Sequence, residues 1–204
     1  YKGVPNPTFT IRGKKIRDPR NSPATPAWSD NPALALADYL TDTRLGLGVG
    51  WDEIDESVLI ASANTCEESV TVPNGVGGST TQERYSANGM AITTQAPAQI
   101  VQNLLSSMAG TLGYTSGTYQ IHAGAYDTPT QSIDESWLRG DVNCQASAPR
   151  GDRYNVVRGR FVDSGSDYQM AEYEARSSSA YQTNDGGVEL EKSIDFPFNT
   201  DAYE

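Results

Sequence analysis

Apolar residues recur at three- and four-residue intervals in three stretches of the chain, and each set predicts a helix. Ala33, Leu34, Leu36, Ala37 and Leu40 form the first stripe, over about 32 to 42. Asn31 supplies an Asx N-cap and Pro32 fits the first turn. Glycine at 46 and 48 stops the pattern, because repeated glycine makes helix continuation costly. Val58, Leu59, Ala63 and Cys66 form a second stripe behind Asp55, which is placed to cap it. The polar, Gly-rich run from Thr71 to Gln82 then predicts an exposed loop. Pro97 opens a third helix carrying Ile100, Val101, Leu104, Leu105 and Met108, closed by Gly110 or Gly113.

The period then changes from about 3.6 to two. Leu112 to Thr115, a Ser116-Gly117 turn and Thr118 to Ala125 predict a hairpin, with Tyr119, Ile121, Ala123 and Ala125 sharing one face. Beyond position 140 the segments Tyr154 to Val162, Gln169 to Arg176 and Val188 to Ile194 predict strands, with turns at Asp163 to Asp167 and Asn184 to Gly187. The last third is therefore expected to be all β. At the other end, Thr8 to Ile11 and Lys14 to Arg17 flank Gly13 and predict a β-hairpin or a bent strand. Pro19, Pro23 and Pro26 extend the connection that follows. The expected class is α+β. Its segments are a basic β arm and linker over 1–27, an α/β domain over 28–140, and an antiparallel β segment over 141–204, a candidate partner of the arm in a shared barrel.

Composition changes this picture in one respect. Leu, Ile, Val and Phe fill 36 of 204 positions at a net charge of -11, a combination usually associated with disorder. Eleven Tyr, three Trp and the amphipathic stripes argue for a folded chain instead. A thin aliphatic core points to burial completed by neighbouring subunits. Acidity opposes general binding to nucleic acid, and no apolar run is long enough to span a bilayer, so neither nucleic acid nor membrane insertion is expected. A start at Tyr1 instead of Met suggests a piece of a longer polypeptide.

Charge is also unevenly placed. Lys2, Arg12, Lys14, Lys15, Arg17 and Arg20 fall within the first twenty positions against one acid, Asp18. The remaining chain holds nine basic and twenty-five acidic residues. Arg12, Lys14, Lys15 and Arg17 are therefore candidate interface residues, either docking on acidic surface of the same chain or a neighbouring copy, or lying solvated on a strand.

Candidate chemistry is sparse. Gly46-Leu-Gly-Val-Gly50 resembles a phosphate loop, but Trp51 stands where a dinucleotide fingerprint needs its last glycine, and a helix precedes it instead of a strand. His122 is the single histidine and has no orienting carboxylate nearby in sequence, so it reads as a strand side chain and not as a catalytic base. Asp52, Glu53, Asp55 and Glu56 suit a helix start, where negative charge meets the positive end of the dipole. Asp163 to Asp167 lacks the alternating ligands of a calcium loop. Cys66 and Cys144 have no metal-site spacing and read as two free thiols. No catalytic residue, metal or cofactor is expected.

Taken in order, several short motifs resemble one family. They are Gly3-Val-Pro-Asn-Pro, Ile11-Arg-Gly-Lys-Lys-Ile-Arg-Asp-Pro-Arg20, Trp28 to Leu40, Gly46-Leu-Gly48, Ile60-Ala-Ser-Ala-Asn-Thr-Cys-Glu-Glu68, Arg84-Tyr-Ser-Ala-Asn-Gly89, Tyr119 to Tyr126 and Arg153-Tyr-Asn-Val-Val-Arg-Gly-Arg-Phe161. Together with the helix at Pro97 they cover most of the chain. The set resembles the central region of phage tail hub or tip attachment proteins, from long-tailed phages and prophages. The resemblance implies a non-enzymatic homotrimer around the tail axis, built from barrel-like and smaller α/β domains. It further implies contacts with distal tail and tape measure proteins, and a location at the virion tail tip after synthesis in the host cytoplasm. Two other readings stay open: a carbohydrate-binding β module that stacks sugars on Trp and Tyr, and a tail-associated glycan hydrolase using paired carboxylates.

Overall fold

A computed structural model describes residues 9–203 of the chain, apart from 22, 24, 74–76, 130, 142 and 145–148. Asn31 opens helix α1, Pro32–Thr41, by accepting the N–H groups of Ala33 and Leu34 on its side chain. Ala33, Leu34, Leu36, Ala37 and Leu40 are buried, as the stripe predicts. Beyond Thr41 the chain folds back on the helix. The Asp42 carboxylate accepts from Arg44 and Leu45, and its carbonyl accepts from Gly46 and Gly48. Glycine is required at 46, because a Cβ there would lie 1.8 Å from the Tyr39 carbonyl oxygen.

A single 3-10 turn, Trp51–Glu53, leads to helix α2, Glu56–Cys66, capped by Asp55 through the Val58 N–H. Helix α3, Pro97–Ser107, buries Ile100, Leu104 and Leu105, and Met108 follows fully buried. It ends before either expected glycine. Ala109 takes the left-handed turn, while Gly110 lies so close to the His122 carbonyl that a Cβ would stand 2.5 Å from it. The hairpin β3, Thr111–Thr115, and β4, Thr118–His122, turns at Ser116 and Gly117, both at positive φ, as a two-residue hairpin turn requires. The Ser62 hydroxyl fastens it to α2 by donating to the Ile121 carbonyl at 2.7 Å and accepting from the Ala123 N–H at 3.1 Å.

Further expectations fail. The predicted loop over Thr71 to Gln82 lies across a hairpin, β1 Ser69–Pro73 and β2 Ser79–Glu83, whose central residues 74–76 are outside the described set. In β1 the half-buried Val70 and buried Val72 alternate with exposed Ser69, Thr71 and Pro73, but the pattern is only two valines long, and β2 exposes nearly every side chain and carries no apolar residue to mark it. In the arm, the part of the expected hairpin that lies within the described residues has no strand. Ile16 forms a lone backbone bridge with Ala27, and position 8 lies outside the described residues. The last third is not all β. A short helix α4, Ser179–Asn184, capped by Ser178, occupies part of it.

The expected strand over Tyr154 to Val162 divides at Gly159. Its first part, β5 Val156–Arg158, lies between β8 Arg176–Ser177 and β9 Glu191–Ser193, antiparallel to the one and parallel to the other. The second, β6 Arg160–Asp163, pairs antiparallel with β7 Gln169–Glu172. The class is α+β, and among the described residues none of the sheets closes into a barrel.

Two compact units result. The first joins Tyr1–Gly124 to Arg160–Tyr173 and Asp195–Glu204, and the second joins Ala125–Gly159 to Glu174–Ile194. In the first, α1, α2, α3 and β4 enclose the core, and Phe198 returns to it beside Gly89. In the second, Asn155 is buried and holds the chain around it. Its amide donates to Asp185 and to the Val188 carbonyl, and its oxygen accepts from the Leu190 N–H.

Candidate functional site

The basic arm rests on acids displayed by α1 and α2 of the same chain. Asp38 and Asp42, four positions apart on and just past α1, face one way and both accept from the Lys14 ammonium, Asp38 at 2.7 Å. The Arg17 guanidinium lies 4.1 Å from the centre of the Trp51 ring and 3.8 Å from Glu56. That Glu56 carboxylate also accepts the Trp51 indole N–H at 3.1 Å, so cation, ring and acid hold one another. Arg12 lies over the half-exposed Trp28 ring at 5.2 Å. Each such cation–π contact is worth about 0.5–1 kcal/mol at an exposed position. Lys15 is exposed and has no partner among the described residues. Lys2 lies outside them.

The most connected arm residue is Arg20, which the four-residue candidate set omits. Its two terminal nitrogens grip Glu67 at 2.6 and 2.7 Å, its Nε and one terminal nitrogen reach Asp18, and Asn64 accepts a further bond at 3.0 Å. Glu67 in turn accepts from the buried Asn31 amide at 3.0 Å. One network therefore joins the arm, the N-cap of α1 and the end of α2. Below it Ile16 inserts into the core, the one arm side chain that is buried among those described.

The acids respond to this company. The Lys14 hydrogen bond, followed by the Leu45 and Arg44 amides, holds the Asp42 carboxyl well below the usual range. Arg20 does the same to Asp18 and Glu67. Arg20 is itself raised, first by Glu67 and then by Asp18. For Lys14, burial is the largest influence and pulls downward, but the bonds to Asp38 and Asp42 outweigh it and the group ends above its ordinary value.

Other sequence candidates resolve into structural roles. The amides of Gly46 and Gly48 are spent on the Asp42 carbonyl, which leaves no cradle of N–H groups for a phosphate. Asp55 caps α2, Glu53 closes the preceding turn on the Gly50 amide, and Asp163 holds the turn at Gly165 and Ser166. His122 is exposed at the end of β4. Cys66 is buried, which pushes its thiol up to about 12, and Cys144 is exposed; both are free. Among the described residues no group of three or more His, Cys, Asp and Glu side chains is placed to hold a metal, and no helix is long and apolar enough to cross a membrane. An open depression of about 390 Å³ is lined by Arg153, Asp185 and Leu190, with the Arg153 cation already paired to Asp185 at 3.1 Å.

The arm's cations were visible in the sequence as a charge cluster. Their partners were missed, although the four-residue spacing of Asp38 and Asp42 on the polar side of α1 was a usable signal. No family model matches the chain.

Proposed function

We propose that this chain is a structural part of a phage or prophage tail tip, a fragment of a tail hub that links the tail tube to the host-recognition end. The ordered motifs over most of the chain motivate the reading. The observation that carries it is apolar surface left uncovered in a single copy. Phe9 and Ile11 are 79% and 80% exposed, Met90 77%, Tyr126 89% and Ile133 74%, and Trp137 and Leu138 are about half exposed. A chain with so thin an aliphatic core that leaves these side chains in water suits a subunit whose burial is finished by others. The partners in this reading are two further copies of the chain in a homotrimer, with distal tail and tape measure proteins beyond them. The short open sheets are where a barrel-like wall would be completed within that assembly.

Mass spectrometry of purified virions from a lysogen carrying the gene tests this. Peptides of the chain in the tail fraction, at one trimer per tail, support the reading, and virions lacking them overturn it. A second reading, carbohydrate recognition, draws on the exposed Tyr126 and Trp137 rings. Binding on a glycan array together with absence from virions would favour it.

A further inference from the structure

We propose that the basic arm is an exchangeable clasp: in a self-assembled form, the arm of one copy seats on the α1 and α2 acids of a second copy and closes the same ion pairs between chains. This goes beyond a tail location and does not require one.

Three observations carry it. First, among the described residues every backbone hydrogen bond made by the arm is internal to it. Ile16 pairs with Ala27, Asn21 donates to Asp18, and Thr25 donates to Pro23. The arm can therefore lift from the helices without breaking a backbone pairing to them, and only Ile16 and side-chain charges must let go. Second, closure on its own body leaves the arm incomplete. Its ion pairs form, but Phe9 and Ile11 stay uncovered. Third, the seat asks for a specific occupant. Asp38 with Asp42, Glu56 and Glu67 receive cations at positions 14, 17 and 20, three residues apart, with an aliphatic side chain at 16 between them. No other segment of this chain carries three cations at that spacing. The segment that fits the seat is thus the arm of an identical chain.

The seat contacts are the same in either arrangement, and only the surface between copies, where Phe9 and Ile11 would find cover, is new, so the choice between them depends on relative concentrations. A dilute chain closes on itself. Copies held side by side exchange.

The test uses the unmodified protein. Light and isotopically heavy chains are unfolded together, refolded over a range of concentrations up to millimolar, and coupled with a zero-length carbodiimide that joins Lys14 to Asp38 or Asp42. Light–heavy peptide pairs that rise with concentration toward about half of all Lys14 links, the value for random exchange, support the clasp. Same-isotope links alone across the whole range overturn it. A second arm of the experiment mixes a chain bearing K14E and R20E with one bearing D38K, D42K and E67K. Each loses the Lys14 and Arg20 pairs that hold its own arm and regains them only with the other, so exchange predicts a one-to-one complex in native mass spectrometry, and two unassociated monomers of native circular dichroism would count against the proposal.

Discussion

The two compact units are held together by different means. In the first, leucines from α1, α2 and α3 pack with Ile100, Ile121, Met108 and Phe198 into an apolar core. In the second, Val156 is the one hydrophobic side chain buried among the described residues, and the centre is the amide of Asn155. A buried leucine withdraws apolar surface worth about 1.5–3 kcal/mol from water and tolerates small motions of its neighbours. A buried amide contributes only while its partners stay in place, because an unmade bond there costs more than a made one contributes. The first unit should therefore resist local opening up to its global stability, and the second should open readily around one residue.

The strongest way to break this contrast is to remove core volume. Leu59→Ala, at a fully buried position on α2, is expected to cost about 3–5 kcal/mol in urea unfolding, with amide exchange in the second unit little changed. A cost below about 1 kcal/mol would show that the core is looser than its packing indicates. Next in size is Asn155→Ala. Loss of its three bonds is expected to destabilise the second unit by about 1–3 kcal/mol, read as faster exchange at the Leu190 amide, while the unfolding of the first unit stays put. Equal acceleration in both units would erase the distinction.

Acid sharpens the comparison further, because the first unit also carries the arm. Asp18, Asp42 and Glu67 are held below their ordinary values in the folded chain. Folding is thus favoured by their charged forms at neutral pH, and this contribution fades as pH falls below about 4 and through the lower folded values. The Trp51 indole N–H resonance should shift over that acid range as the arm loosens, before the core unfolds. The smallest effects belong to single arm charges. Lys14→Ala is expected to cost under about 1 kcal/mol and Lys15→Ala almost nothing, since the first breaks exposed ion pairs and the second breaks none that are described.

The legibility of the sequence follows the same division. Helices α1, α2 and α3 and the β3–β4 hairpin are readable because burial on one face imposes a period, and Asn31, Asp55 and Pro97 mark where the helices begin. Strand β2 and α4 expose nearly every side chain, and β1 turns only Val70 and Val72 inward, too short a run to impose a readable period. The division at Gly159 depends on which distant strand each half meets, β8 and β9 for one and β7 for the other. The arm's ion pairs are half legible for a similar reason. Lys14 and Arg17 cluster locally, whereas Asp38, Glu56 and Glu67 are brought to them by the packing of two helices.

The contrast between the two cysteines has a practical consequence. With the Cys66 sulfur protonated and shut inside the core, a thiol-directed dye or spin probe added to the native protein meets one accessible target, Cys144. The wild-type chain thus offers a single attachment point among the described cysteines, and neither need be removed before a probe is placed.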